Sequence, residues 1–273
     1  MLQIKRPMVM GILNVTPDSF SDGGRYLAPD LALAQALQMI SEGVDIIDIG
    51  GESTRPGAAP ISLAEELQRV IPVIEAIRAE SAVAISVDTS SPAVITAAAE
   101  AGADLINDVR ALRRDGALAA AAACGLPVCL MHMQGDPLTM QLDPVYEDLI
   151  VDIRRFFEER MLACEAAGIP RSRLVLDPGF GFGKTLEHNL RLVNRLQEFL
   201  PLGRPLLVGL SRKSTIGRII GDPTADLVAA SVAAATMAFM NGASILRVHD
   251  VAPTVAALRV FTTVQAERLA DEH

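Results

Sequence analysis

One unit recurs along the whole chain and limits its fold more than any other feature. A short apolar run ends in Gly, Pro or polar residues, and a longer stretch at helical period follows before the next apolar run begins. Eight such runs predict strands over 8–13, 44–49, 83–87, 104–107, 127–131, 174–176, 206–210 and 245–248. Across 273 residues the unit averages about 34 residues, the size of a βα repeat. The runs are apolar throughout rather than alternating, as strands covered on both faces must be. With aromatics at 4% and no Trp, the core has to be built from Ala, Val, Leu and Ile. Ser62-Leu-Ala-Glu65 reads as a capping box, and Ser91-Pro92 sets a capping hydroxyl before a proline at the first helical position. No linker or composition shift divides the series, so residues 1–273 read as one domain.

Eight alternating strands and helices predict a single (β/α)8 barrel, with an open doubly wound sheet as the competing α/β architecture. The polar residues decide between them. Asn14, Asp48, Asp88, Asn107, His132, Asp177, Ser211 to Lys213, and Arg247 with His249 fall at the C-terminal ends of successive strands. A barrel gathers those ends into one ring, whereas an open sheet scatters them. Any one of these residues reads equally well as a helix cap, but eight ligand-capable groups at the face where barrel sites form point to a site.

Several function classes are excluded. The formal charge of −9 argues against general binding of nucleic acid, whose phosphates are met by clustered Lys and Arg. Cys124, Cys129 and Cys164 show no metal-site spacing and fit buried thiols in a reducing cytoplasm. The N-terminus is a poor signal peptide, so export is not expected. The longest apolar stretch, 227–240, is too short to span a membrane and reads as an Ala-rich helix packed on a sheet.

Loops after the seventh and eighth strands commonly bind phosphate in barrel enzymes. Here they carry Ser211-Arg-Lys-Ser214 ahead of a helix, and Arg247-Val-His249, which predicts an anion site. The other half of the ring, Asp88, Asn107 and Asp177, offers carboxylates and an amide to the N–H and carbonyl edge of a nitrogen-rich heterocycle. A Mg²⁺ ion shared with substrate phosphates needs only one or two protein oxygens, which Asn14 and Asp22 can supply. The run from Pro178 to Thr185 resembles a P-loop, but Pro178 stands where its first glycine belongs. It reads instead as a flexible Gly-rich loop at the barrel mouth. Lys213 could be a Schiff-base lysine, yet its neighbours look like an anion cradle rather than an apolar pocket that lowers a lysine pKa. His132 reads as readily as a core-edge histidine as a ligand contact. Segments 14–24 and 50–57, rich in Gly, Pro, Ser and charge, read as lids carrying Phe20 and Arg55.

Together these segments resemble the dihydropteroate synthase family over essentially the whole chain. The resemblance is carried by Gly11-Ile-Leu-Asn-Val-Thr-Pro-Asp-Ser-Phe-Ser-Asp22, Gly51-Glu-Ser-Thr-Arg-Pro56, Ser86-Val-Asp-Thr89, Asn107-Asp108, Leu130-Met-His-Met133, Leu176-Asp-Pro-Gly-Phe-Gly-Phe-Gly-Lys184, Ser211-Arg-Lys-Ser214 and Arg247-Val-His249. It implies an enzyme that joins 6-hydroxymethyl-7,8-dihydropterin diphosphate to 4-aminobenzoate, releasing diphosphate. It further implies that Asp48, Asp88, Asn107, Asp177 and Lys213 bind the pterin, with Asp48 also near Arg55. Arg247 and His249 would hold the diphosphate, helped by Asn14 and Thr54, and Asn14 would bind Mg²⁺. Phe20, Thr54, Arg55, Pro56, Phe182 and Ser214 would shape the aminobenzoate pocket, and Asp22 would shield the reacting carbon. Sulfonamides, as aminobenzoate mimics, are expected inhibitors, and a homodimer is expected. Two rivals are weaker. A methyl-transferring pterin barrel would not need Arg247, His249 or the Ser-Thr-Arg-Pro segment, and a silent homologue would have lost loop residues that are present here.

Overall fold

The computed structural model describes residues 6–16, 28–53, 61–135, 139–140, 142–222 and 224–267. Eight parallel strands run in chain order: β1 (Met8–Asn14), β2 (Ile46–Gly50), β3 (Ala84–Asp88), β4 (Leu105–Asp108), β5 (Val128–Met131), β6 (Leu174–Asp177), β7 (Leu207–Val208) and β8 (Ile245–Val248). They pair in the order β6-β5-β4-β3-β2-β1-β8-β7, and a parallel bridge between Leu176 and Leu206 joins the two outer strands. The sheet therefore curls into the expected barrel.

Around it lie α1 (Ala28–Ser41), α2 (Leu63–Glu80), α3 (Pro92–Glu100), α4 (Ala117–Cys124), α5 (Leu149–Ala166), α6 (Leu186–Asn194), α7 (Ser214–Ile220), α8 (Val228–Met240) and α9 (Val251–Ala266). Two details depart from a strict repeat. The seventh strand is only Leu207–Val208, and two helices, α7 and α8, separate it from β8. The stretch expected to pack on the sheet does so as α8, burying Ser231, Ala235 and Ala238. Among the described residues no helix is long and apolar enough to cross a membrane.

The caps differ in part from expectation. Ser62 accepts a hydrogen bond from Glu65 N at 3.2 Å, but Glu65 Oε1 turns to Arg69 Nη2 at 2.5 Å, so only half of the capping box forms. Ser91 occupies the N-cap of α3 without a side-chain cap, and its own N–H donates to Thr89 Oγ1 at 3.1 Å. A complete capping box appears instead at Thr185 and His188, at the start of α6.

The site follows from strand periodicity. Met10, Ile46, Leu105, Cys129, Val175, Leu207 and Ile245 form one buried cluster with Met8 and Ala84 packed on it, so every one of the eight strands contributes to a plug inside the barrel. Successive side chains on a strand alternate faces, so the residue two places further on also points inward. Those next residues are Ile12, Asp48, Ser86, Asn107, Met131, Asp177, Gly209 and Arg247. One step toward the C-terminal ends, the interior changes from hydrocarbon to carboxylate, amide, hydroxyl and guanidinium. The outward residues, such as Ile47, Ile49, Ile85 and Val87, pack against the helices in a separate, larger core.

Candidate active site

Arg247 organises one side of the ring. Its Nε donates to Asp48 Oδ2 at 2.6 Å and its Nη2 to Asp88 Oδ2 at 2.8 Å, while Asn107 Nδ2 donates to the same Asp48 oxygen at 3.1 Å. Asp48 is fully buried, and among the described residues its Oδ1 has no hydrogen-bond partner; nor does the hydroxyl of Ser86, its register partner on β3. Burial pushes the Asp88 carboxyl up to about 7, with Arg247 opposing and Asp48 reinforcing the rise. Burial also works against the charge on Arg247, but Asp48, Asp88 and Asp177 outweigh it and raise the guanidinium pKa.

On the opposite side, Asp177 ends β6, and its Oδ1 accepts from Gly179 N at 2.8 Å. Burial raises the Asp177 pKa, while Lys213 pulls it back. Lys213 donates to the Phe180 carbonyl oxygen, and its ammonium lies 5.7 Å from the Phe180 ring centre and 4.6 Å from that of Phe182. This corrects the cradle expected from sequence. Lys213 lies against two aromatic rings, and desolvation brings its pKa down to about 8, with Asp177 opposing. Arg212 is half exposed and forms an ion pair with Asp250. Its positive φ of 55° sends the two neighbouring side chains in different directions.

Ser211 and His249 meet where β7 and β8 end. The Ser211 hydroxyl accepts from His249 N at 3.1 Å and lies 3.1 Å from His249 Nδ1. Asn14 closes β1 beside Gly50, its register partner. Ser214 is the first residue of α7 and is exposed. The structure therefore brings Asn14, Asp48, Asp88, Asn107, Asp177, Phe182, Lys213, Ser214, Arg247 and His249 to one end of the barrel. Phe20, Asp22, Thr54, Arg55 and Pro56 lie outside the described residues. Among the described residues no cluster of three His, Cys, Asp or Glu side chains could hold a metal.

Two parts of the site were hidden from sequence reasoning. The Gly-rich run is not a flexible loop: Lys184 is 3% exposed and bonds His132 Nδ1, Gly179 O and Phe182 O, pinning the turn. Three alternate glycines ending in a lysine were its only signal. Behind Asp88, Thr89 Oγ1 donates to buried Glu66 at 2.5 Å, and Asp108 accepts from Arg110 N at 2.8 Å and Leu112 N at 2.7 Å. Those bonds hold Ala111 and Leu112 at positive φ, a costly conformation for residues with a side chain.

Known proteins match this arrangement. The family described as pterin binding enzymes matches residues 10–249. The dihydropteroate synthase of Escherichia coli K12 is 56% identical over 259 residues, 95% of this chain and 92% of that protein. A Yersinia pestis dihydropteroate synthase in a sulfonamide drug complex superposes with a TM-score of 0.92 at 56% identity, covering 97% of this chain and 96% of that one. A Xanthomonas albilineans dihydropteroate synthase with 4-aminobenzoic acid gives a TM-score of 0.91 at 52% identity, with 97% and 95% covered. With a continuous match across the barrel and its ring of strand-end residues, the chain belongs to the pterin binding enzymes and, among them, to the dihydropteroate synthases.

Proposed function

We propose that the chain condenses 6-hydroxymethyl-7,8-dihydropterin diphosphate with 4-aminobenzoate to give 7,8-dihydropteroate and diphosphate. The observation that carries this reading is the two-sided ring. Asp48, Asp88, Asn107 and Arg247 lie on one side and Asp177 with Lys213 on the other, all above an apolar floor. Asp177 pairs with the amidine-like edge of the pterin through two parallel bonds, and Lys213 donates to a ring acceptor. Asn107 and Asp88 hold the opposite edge. Asp48 Oδ1 is a buried acceptor with no donor among the described residues, which a ring N–H satisfies directly or through water.

Arg247 and His249 receive the diphosphate. A guanidinium has five N–H donors, and Arg247 commits Nε and one donor of Nη2 to Asp48 and Asp88, keeping the rest of its fork for phosphate oxygens. The Ser211 hydroxyl accepts from His249 N and lies 3.1 Å from Nδ1, which orients the imidazole; in the tautomer protonated on Nε2 the ring offers an anion a donor. Asn14 would hold Mg²⁺ as its single side-chain oxygen, in keeping with an ion that takes most of its ligands from phosphates and water. When bound, the ion neutralises charge on the diphosphate. The diphosphate leaves with the electrons of the methylene C–O bond, and the electron-rich ring spreads the resulting positive charge. The aminobenzoate nitrogen then forms the new C–N bond and releases a proton. Asp22 and the segments bearing Phe20, Thr54, Arg55 and Pro56 exclude water, while Phe182 and Ser214 line the aminobenzoate pocket.

The enzyme works in the cytoplasm as a homodimer in this reading. Its three free cysteines suit a reducing compartment, and exposed Met237 and Met240 of α8 and Val260 and Val264 of α9 offer apolar surface for a partner copy. The deciding experiment follows diphosphate release with and without aminobenzoate. Release that requires aminobenzoate and yields dihydropteroate supports the reading, and binding without release overturns it in favour of a silent homologue.

A further inference from the structure

Lys184 ends the run Gly179-Phe-Gly-Phe-Gly-Lys184, and the reaction above gives it no part. Its ammonium meets the Gly179 carbonyl at 2.9 Å, the Phe182 carbonyl at 3.0 Å and His132 Nδ1 at 3.0 Å. An ammonium has three N–H donors, so this geometry uses all of them. Burial brings the Lys184 pKa down to about 7, with Asp177 opposing; in its charged form the third bond takes a lone pair on His132 Nδ1 and so goes with the tautomer protonated on Nε2. Burial lowers the His132 pKa well below its ordinary value, with the charge on Lys184 adding to the effect, so the ring stays neutral.

The turn that Lys184 grips is fitted on both sides. Gly179, Gly181 and Gly183 all have positive φ, at 72°, 82° and 61°. A Cβ at Gly179 would fall 1.8 Å from His132 O, and one at Gly183 would fall 2.6 Å from Gln134 O. A Cβ at Gly181 would come within 3.1 Å of Lys213 Cδ. The turn therefore lies flush between the segment leaving β5 and the stem of Lys213. Asn189 Oδ1 accepts from Gly181 N at 2.7 Å, and the Tyr146 hydroxyl donates to Gly183 O at 2.7 Å. On its inner side the turn presents the Phe180 carbonyl and the Phe182 ring to the Lys213 ammonium.

We propose that Lys184, paired with His132, is a positioning residue for the pterin site: it draws the 179–183 turn into the shape that places Phe180 O and Phe182 against Lys213. The inference rests on the reading that Lys213 binds the pterin. Lys184 itself need not touch substrate, because its donors are taken up by the turn. The lysine of this P-loop-like run thus folds back onto the carbonyls of Gly179 and Phe182 in its own turn.

A double-mutant cycle on the full chain separates this role from a merely structural one. Wild type, Lys184→Met, Lys213→Met and the double variant are titrated calorimetrically with 6-hydroxymethyl-7,8-dihydropterin diphosphate, without aminobenzoate. Lys184→Met should weaken binding about tenfold in the wild-type background, the scale of one charge-assisted contact. In the Lys213→Met background the loss should shrink to less than about twofold, because the group being positioned is gone. Unchanged affinity for Lys184→Met, or an equal loss in both backgrounds, overturns the proposal. If Lys213→Met alone leaves affinity intact, the assignment of Lys213 to the pterin fails, and this inference fails with it. If Lys184→Met does not fold, His132→Leu, which removes the third acceptor together with the ring that packs on Phe156, replaces it in the same cycle: a loss confined to the background that keeps Lys213 supports the proposal, and no loss or an equal loss overturns it.

Discussion

Asp88→Asn should make the protein more stable at pH 8 while impairing it as an enzyme. Burial raises the Asp88 carboxyl from 3.8 to about 7 even with Arg247 bonded to it at 2.8 Å. Between those values the folded chain holds a proton that the unfolded chain has released, so unfolding stability falls as pH rises. The group's favourable contribution is fully present below 3.8 and lost as pH passes through about 7. At ~1.4 kcal/mol per pH unit, the full span amounts to roughly 4 kcal/mol. Asparagine has the shape of the protonated acid and carries no charge to desolvate, so it escapes this loss. The stability gap between variant and wild type should grow by ~1.4 kcal/mol per unit from pH 5 to pH 7, then level off. Urea unfolding at pH 5, 6, 7 and 8 measures it through the midpoint and slope. A variant no more stable than wild type at pH 8, or a gap that does not change with pH, refutes the reasoning. The wild-type carboxylate would then be accommodated without strain.

Two ring and loop substitutions should separate the halves of the substrate. Asp177→Asn removes a charged bidentate partner, and pterin affinity should fall by roughly 2–3 kcal/mol; titration calorimetry showing no loss would move the pterin elsewhere in the ring. Arg55→Ala should leave pterin binding nearly intact but slow turnover, and an equal loss in both would sink the assignment of that loop to aminobenzoate. In the core, Phe157 is fully buried and meets Phe156 and Phe199 edge to face at 5.7 Å and 6.2 Å. Phe157→Ala should cost about 3–5 kcal/mol of unfolding free energy, and a loss under ~1 kcal/mol would show that the helix layer repacks freely.

The barrel and its ring could be read from residue order because both depend on local periodicity. An apolar run followed by a polar residue such as Asp48, Asn107 or Asp177 states where a strand leaves the core. The two-residue repeat of a strand then determines that Asp48 points the same way as Ile46. The shortness of β7, two residues where 206–210 was expected, was less legible, since strand pairing there depends on neighbours far along the chain. The helix caps show the same limit at short range. Ser62 and Ser91 have the right residue types, but Ser91 forms no side-chain cap and the Glu65 that would complete the box at Ser62 is taken by Arg69.

By itself, then, the order of residues determined a parallel α/β barrel, the end of the barrel that carries chemistry, and the groups available there. Tertiary structure alone decided which of those groups meet. Arg247 bridges Asp48 and Asp88 across 199 and 159 positions of sequence, and Lys184 reaches His132 across 52. Arg212 and Lys213 are adjacent in sequence yet face opposite worlds, one in water beside Asp250 and the other against two phenyl rings. The physical reason is that periodicity specifies the direction of a side chain relative to its own strand. Charge pairing, desolvation and the fit of a turn depend on atoms brought close only when the sheet closes on itself.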